Sequence, residues 1–550
     1  MTTIVSRREI LAAAGALAAP AKAASIDPAI VKKHDERVAS YLKLQTRDPA
    51  SRWCGGLPDA FGLHYAGSAA GCLDAFTAAV LCRESRFHDS KLIVERMKLA
   101  SDFLNRSQNA AGFYDLPITN FNSPPDTAFG VHSVATACLL AKRAGASHLV
   151  ALMEPFLRKA GAGLAVGGVH TPNHRWVICS ALAQINELYP DSSYIRRIDQ
   201  WLAEGIDIDE DGQYTERSTL VYNAVTNRAL IVMAAKLGRP ELLEPVRANL
   251  NSLLYLLHPG HEVVTEISTR QDLNQRGDVS THWFALRYMA AKDNNGQFAA
   301  LAGRAAANAS LSALMEYPEL SGPQPALLTP PENYEKQFTA SRMVRIRRGM
   351  TSATILLEGR SRIFALRRGE AVINAVRFAS AFFGKGQFVP SRGEKLGSGY
   401  RLYQSLEGPY YQPVDPLRKI GPRDWAAARP LRRRTEVCRL EQSAVITEKG
   451  NGFDVRIQVS GTKNVPVTIE INLRKGGKLE GCIPGPELED SWLLASGQAT
   501  YRLGSDAIRF APGLREHSYT QVRNAEPKLP GSSVYLCGFT PLDHTLTFEW

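Results

Sequence analysis

The sequence has no uninterrupted apolar run approaching the roughly 20 residues that a helix needs to cross a bilayer. Its one candidate, Ile10 to Ala21, is shorter and stands at the N-terminus, so no membrane insertion of the mature chain is expected. Nor is there a C-x-x-C pair. The eight cysteines, Cys54, Cys72, Cys82, Cys138, Cys179, Cys438, Cys482 and Cys537, are scattered without compact spacing. Zinc fingers and thioredoxin chemistry have no support, and buried free thiols are expected rather than a disulfide framework. The chain lacks a G-x-S-x-G elbow, an H-E-x-x-H zinc helix and a P-loop, and its glycines from Gly161 to Gly168 do not have the spacing of a dinucleotide fold. Acidic residues are in deficit, 54 against 65 Lys and Arg, giving a net charge of +11 over 550 residues. With 44% apolar and 22% charged residues, the composition is that of one large or two medium globular domains, which excludes disorder and fibres.

Residues 1–23 read as an export signal. Ser6-Arg7-Arg8-Glu9-Ile10-Leu11 sets paired arginines ahead of an alanine-rich run, and Ala21-Lys22-Ala23 supplies a small-x-small cleavage pattern. The segment resembles a bacterial twin-arginine signal, which carries chains already folded, so a periplasmic or secreted mature protein is expected.

From residue 28 to 317 apolar residues recur at spacings of three and four, with turn residues between them. Helices are expected over Thr127 to Arg143, Arg175 to Leu188, Ser218 to Leu237 and Glu241 to Leu257, the third ending at Gly238 and the last before Pro259. Their hairpin-like rhythm is that of paired helices wound into an α/α toroid, an incomplete helical barrel. Pro318, Pro323, Pro325, Pro330 and Pro331 then forbid helix continuation. Beyond them the period changes to two, in Met343-Val344-Arg345-Ile346-Arg347, Thr354 to Leu357, Phe453 to Val459 and Val467 to Leu473. The expected order is a toroid over 24–320, a Pro-rich linker over 321–335 and an antiparallel β-sandwich over 336–550.

Residues 341–440 hold 21 Lys and Arg against seven Asp and Glu, so this stretch carries more positive charge than the whole chain nets. An anionic partner follows, and an acidic polysaccharide fits export and charge together. Nucleic acid is not expected, because no helix-turn-helix, zinc finger or ribonucleoprotein motif accompanies the charge. The other reading is that alternating arginines only solvate the outer face of a sheet.

Several segments gather polar groups at helix ends. His170-Thr171-Pro172-Asn173-His174-Arg175-Trp176 precedes an amphipathic helix and places Asn173 near its N-cap. Gly212-Gln213-Tyr214-Thr215-Glu216-Arg217-Ser218-Thr219-Leu220-Val221-Tyr222 opens another, with Tyr222 facing either core or cleft. Asp207-x-Asp209-x-Asp211-Gly212 copies the opening of a calcium loop, but its twelfth position is Ser218 and Glu216 stands two places early. No cofactor is expected, with calcium or zinc left open. His64, in Gly62-Leu63-His64-Tyr65, and His132 precede or begin helices in the same half.

In this order of segments the sequence resembles the heparinase II/III-like and alginate-lyase-like polysaccharide lyases. The residues that carry the resemblance are Asn173-His174, the Tyr-x-Glu-Arg-Ser-x-x-x-Tyr segment from Tyr214 to Tyr222, and His258-Pro259 with Glu266-Ile267-Ser268. Asn122-Ser123-Pro124-Pro125-Asp126-Thr127 is similar to a loop lining the toroid mouth. The resemblance implies β-elimination on a uronate-containing glycan, with Asn173 neutralising the sugar carboxylate, Tyr222 as acid and base, and His174 or His170 as partner base. Such a reaction removes a proton beside an ionised carboxylate, so donors must first neutralise that carboxylate and stabilise enolate-like charge. A phenol, with a pKa ordinarily about 10, can then move protons if positive charge stands nearby, and Arg217 is the expected source. Substrate contacts are expected from Asn122, Asp126, His64, Glu216, Tyr410 and Tyr411. Family members often add a histidine from the sandwich; this chain offers only His517 and His544 there.

Two rivals remain open on the sequence. A toroid glycoside hydrolase needs two carboxylates about 5 to 9.5 Å apart, for which Glu216, Asp126 and Asp272 are candidates. A glycan-binding protein that has lost its chemistry needs none.

Overall fold

The computed structural model describes residues 26–415, 424–486 and 488–550; the export signal expected over 1–23 lies outside them. Helices Ala66–Leu81, Pro124–Arg143 and Pro172–Leu188 are buried on most sides and pack against one another in chain order. The helices that follow each of them, Lys91–Ser107, Ser147–Leu164 and Ser192–Leu202, pack outside and keep one face in water. Helices apolar all round belong inside and amphipathic ones outside, and this alternation builds the α/α toroid. Small residues in Ala66–Leu81 let the inner ring close up, while Pro124 and Pro172 start two of its members where a missing N–H costs nothing. No described helix is long and apolar enough to cross a membrane.

The last helix of this half, Pro318–Ser321, gives way to the first sandwich strand at Asn333–Phe338. One sheet has nine strands in the order Ile483–Pro484, Ser491–Leu493, Ser533–Phe539, Pro466–Leu473, Ala371–Ser380, Phe364–Arg368, Thr351–Leu356, Met343–Arg348 and Asn333–Phe338. The other has eight, in the order Lys478–Glu480, Ala499–Leu503, Asp506–Ala511, Leu542–Glu549, Gly452–Gly461, Arg434–Lys449, Gly399–Tyr411 and Arg392–Leu396. Among the described strands of these two sheets only Ser491–Leu493 with Ser533–Phe539 pair in parallel. Val344, Ile346, Phe364 and Phe378 from the first sheet meet Ile446, Phe453, Ile457 and Phe548 from the second in one core. The Phe364 ring lies 5.3 Å from that of Phe453 and 5.9 Å from that of Phe548.

By packing, the chain forms two compact units. The first comprises the described residues to Ile206 with Val225–Leu243 and Ser280–Thr329; the second comprises Asp207–Ala224, Glu244–Val279 and Pro330–Trp550. Two stretches of the helical half thus belong with the sheets, although secondary structure changes in the Pro-rich stretch. The reason is hydrophobic: Leu256, Val264 and Ile267 cover Phe338, Met343 and Leu356 on the nine-stranded sheet.

That cover corrects one sequence expectation. The arginines alternating along Met343–Arg348 do not solvate an outer face: Arg345 is 0% exposed and Arg347 3%. Arg345 donates to the carbonyls of Ala353 (3.1 Å) and Leu257 (3.4 Å), and Arg347 pairs with Glu332 at 3.1 Å. All eight cysteines are free thiols.

Inside the first unit, Glu316 accepts from Thr136 (2.6 Å) and pairs with Lys236 (2.7 Å), while Asp74 accepts from Ser312 at 2.9 Å. The second Asp74 oxygen is buried without a hydrogen-bond partner. Burial pushes the Asp74 carboxyl up to about 6, against the opposing pull of Ser312 and Arg228. A raised carboxyl pKa means that the folded state holds the proton more tightly than the unfolded state. Stability therefore falls as pH rises from the ordinary carboxylate range to about 6, and stays lower above it. Asp74→Asn is expected to remove that slope. Thermal melts should show it more stable than the parent at about pH 7.5, by at most a few kcal/mol, and equal to it near pH 4.

Candidate active site

Tyr222 begins the helix Tyr222–Leu237, and its amide is capped by Ser218 Oγ at 3.0 Å. The chain reaches it through a turn at Gly212, whose φ is 76° and where a Cβ would stand 2.5 Å from the Ala248 carbonyl oxygen. Only glycine fits both demands. The 216–222 segment is clipped to a second stretch, 265–275. Thr269 donates its amide (3.1 Å) and hydroxyl (3.0 Å) to the Glu216 carbonyl, and Asp272 accepts from the Leu220 amide (3.2 Å) and Ser268 Oγ (2.5 Å). Asp272 is fully buried, and both of its oxygens brace this junction. It is therefore not the solvent-facing acid that a hydrolase reading assigned to it.

The junction presents two side chains to Tyr222. Gln271 Nε2 donates to the phenol oxygen at 2.6 Å, and the Arg270 guanidinium carbon lies 4.9 Å from the ring centroid. Arg270 also pairs with Glu216 at 3.2 Å. Because the phenol oxygen accepts from Gln271, its own hydrogen is left for another partner, and a cation over the ring suits negative charge developing there. Arg217, the cation expected there, is not the one over the ring. Arg217 takes a left-handed backbone (φ 45°), and its guanidinium goes to Asp209 and the Ala340 carbonyl, each at 3.1 Å. Arg270 and Gln271 lie two and three residues past Glu266-Ile267-Ser268, in a segment with no periodicity to mark them.

The calcium-loop signature is structural. Asp209 serves Arg217 and the amides of Asp211 and Gln213 at 3.0 and 2.9 Å, and Asp211 accepts from the amides of Thr339 (2.9 Å) and Ser341 (2.8 Å). Among the described residues no group of three His, Cys, Asp or Glu side chains could hold a metal.

Next to this cluster in the same unit, His258 is buried between Ser352 Oγ (2.9 Å) and Arg345 Nη2 (3.3 Å) at Nδ1, with Glu266 3.5 Å from Nε2. Burial, with Arg367 and Arg345, holds the imidazole well below its usual range. Arginine can only donate, so Nδ1 is the acceptor and the single ring proton sits on Nε2, towards Glu266. Burial works against the Glu266 charge, but His258, Arg367 and Arg345 outweigh it and keep the carboxyl below its ordinary range.

The first unit holds the second set of expected residues. Thr171 is the N-cap of Pro172–Leu188, and Asn173 Nδ2 lies 3.3 Å from its hydroxyl. Asn173 and His174 are buried, and the His174 ring meets His170 edge-on at 4.7 Å and Phe129 at 6.4 Å. His132 is pushed down to about 3 by burial and Arg228, and bonds Ser180 at 2.9 Å, which makes it structural.

The loop residues are mostly spent on the loop itself. Asp126 accepts from Ser123 (2.5 Å) and Asn120 (2.8 Å) at the start of Pro124–Arg143, so one of its oxygens serves that helix end. Asn122 accepts from Asn109 at 2.7 Å. His64 stacks on Trp53 at 5.3 Å, and Arg52 lies over the same indole at 4.3 Å.

In the second unit, Tyr410 packs edge-on to Phe383 at 5.5 Å. Tyr411 meets Trp425 at 6.3 Å, and Arg432 covers that indole at 4.3 Å. Lys385, Arg429, Arg432 and Arg434 surround Tyr411 in a cleft of about 240 Å³. His517 and His544 each bond a backbone carbonyl, of Gly538 (2.9 Å) and Pro512 (3.1 Å). The structure therefore brings Asn173, His174 and His170 together in one unit, and Tyr222 and Glu216 together in the other, with Arg270 and Gln271 added.

No protein-family model matches the chain. No curated protein matches it in sequence either. Its architecture, a helical toroid followed by an antiparallel β-sandwich, is that of solved polysaccharide lyases. A chondroitin AC lyase of Streptomyces coelicolor A3, in complex with chondroitin sulphate, is 14% identical with a TM-score of 0.54 over 96% of this chain and 80% of that one. A Paenibacillus xanthan lyase is 12% identical with a TM-score of 0.54, over 96% and 58%. A heparan sulfate lyase mutant from Pedobacter heparinus is 10% identical with a TM-score of 0.50, over 95% and 88%. At these identities the likeness is one of fold.

Proposed function

We propose that the chain is a polysaccharide lyase that cleaves a uronate-containing anionic glycan by β-elimination, working after export in the periplasm or outside the cell. The observation that carries this reading is the phenol of Tyr222, held by Gln271 at 2.6 Å beneath the guanidinium of Arg270 at 4.9 Å. In the reaction the proton at C5 leaves as the bond from C4 to the bridging oxygen breaks. The electron pair of the C–H bond becomes the new double bond, and the leaving oxygen takes a proton. Tyr222, as the phenolate once its own proton has passed to the partner base, takes the C5 proton and gives it to the leaving oxygen, and Arg270 steadies the charge on its ring. Asn173 is assigned to the sugar carboxylate, with His174 or His170 as partner base; His64, Asn122, Tyr410 and Tyr411 are assigned to substrate binding.

Two observations support the choice over hydrolysis. Asp272, and Asp126 through one oxygen, are committed to holding backbone and loop groups, whereas inverting or retaining hydrolysis needs a facing pair of carboxyl groups. The fold is one that lyases use. Incubating the protein with alginate, glucuronan, hyaluronan and heparan sulfate tests the proposal. Elimination leaves an unsaturated uronate that absorbs in the ultraviolet, so a rise in absorbance with at least one polymer is expected. Cleavage without that absorbance would instead establish a hydrolase.

A further inference from the structure

The sheet-bearing unit contains a cavity of about 760 Å³ that none of the roles above uses and that is lined by none of Tyr222, Arg270 and Gln271. Small-molecule sites fall between about 300 and 1,000 Å³. Arg362, Arg367, Arg474, Lys475 and Arg276 line it against only two carboxylates, Glu262 and Glu266. Glu262 already takes three guanidiniums: Arg367 at 2.5 Å, Arg474 at 2.8 Å and Arg276 at 3.3 Å. Glu266 faces His258 at 3.5 Å and accepts the Thr265 amide at 2.9 Å.

Arg362 is left over. It is half-buried, yet among the described residues it makes no hydrogen bond and no ion pair. The acidic side chains that act on it, Glu526, Glu470 and Glu266, all have other partners: Arg377 holds Glu470 and Glu526 at 2.6 and 2.8 Å, and Glu266 faces His258. Burial pulls the Arg362 pKa below the ordinary arginine value, and Arg377 adds to the effect. The Arg362 guanidinium stays open to solvent and so to an incoming ligand, and its flat fork matches a carboxylate or sulfate in two parallel hydrogen bonds. Asn374, which lines the same cavity, gives its amide nitrogen to Asn472 at 3.0 Å and keeps its carbonyl oxygen for a hydroxyl.

The geometry points to a non-catalytic binding site for an acidic sugar, whose carboxylate or sulfate oxygens take Arg362 and whose hydroxyl takes Asn374. The inference requires only that the chain binds anionic glycans, and it holds whether or not Tyr222 performs elimination.

Calorimetric titration of the full chain carrying Tyr222→Phe, at fixed low salt, tests it. The probes are hexasaccharides of alginate, which bear carboxylates only, hexasaccharides of heparan sulfate, which add sulfates, and inorganic sulfate. Adding Arg362→Ala is expected to weaken binding of at least one hexasaccharide by about tenfold or more, at unchanged melting temperature. Arg362→Lys, which keeps the charge without the fork, should recover part of the loss. Weakened alginate binding identifies the carboxylate, and an effect confined to heparan sulfate identifies the sulfate. Should Arg362→Ala fail to fold, Asn374→Ala reports on the same cavity, with an expected loss of about threefold or more. The proposal is overturned by unchanged hexasaccharide affinity in the folded variants, by a loss confined to inorganic sulfate, or by a parent chain that binds neither hexasaccharide. Lack of an ultraviolet-absorbing product overturns only the lyase reading.

Discussion

Tyr222→Phe is expected to lower kcat on the glycan that the protein cleaves by about 10²–10⁴-fold, the range for removing one positioned proton-transfer group, with little change in KM or melting temperature. The substitution removes one oxygen. The ring stays beneath Arg270, and the Ser218 cap on the helix is a backbone contact that phenylalanine keeps. What disappears is the group that Gln271 orients at 2.6 Å. Gln271→Ala gives the internal comparison: the phenol remains but loses its orienting donor, so kcat should fall less than in Tyr222→Phe. Initial rates read as ultraviolet absorbance provide both numbers. A Tyr222→Phe enzyme that turns over at the parent rate removes Tyr222 from the mechanism.

The largest effect on stability is expected at Arg377. It lies 2% exposed on Ala371–Ser380, directly across the strand pair from Glu470, itself 5% exposed. Its guanidinium reaches Glu470 at 2.6 Å and Glu526 at 2.8 Å. Arg377→Ala leaves the Glu470 charge in the sheet with hydrogen bonds from Ser533 Oγ (2.6 Å) and the Leu529 amide (3.2 Å) and with Arg362 as its remaining nearby cation. Removing one partner of a buried pair costs about 3–5 kcal/mol, whereas replacing both with apolar residues of similar volume is often close to neutral. Denaturant unfolding should therefore show a large loss for Arg377→Ala and a much smaller one for Arg377→Met combined with Glu470→Leu. A loss of under about 1 kcal/mol in the single variant would mean that water already reaches Glu470.

Much of the architecture is legible in the sequence because it is written locally. Inner helices such as Ala66–Leu81 are apolar all round, outer ones such as Lys91–Ser107 are striped, and the strands beyond Asn333 alternate. Helix ends are legible for the same reason, so Asn173 and Tyr222 stand out as polar groups at the starts of apolar segments. Arg270 does not, because only the long-range clip between Thr269 and Glu216 brings it over the Tyr222 ring. The burial of Arg345 and Arg347 is not legible for a related reason. Alternation along Met343–Arg348 signals one wet face only when nothing covers it, and the cover comes from Leu256, Val264 and Ile267, some 80 positions earlier.

The interleaving of the two units has a consequence for how such a protein can change over time. The chain passes between them five times, at the ends of the stretches bounded by Ile206, Ala224, Leu243, Val279 and Thr329. No single cut therefore separates them. A fragment starting at Pro330 would carry every strand of both large sheets, yet it would bare Phe338, Met343 and Leu356 to solvent. Neither unit can be transplanted as a cassette, and recombination at the proline-rich stretch would yield two sticky, incomplete halves.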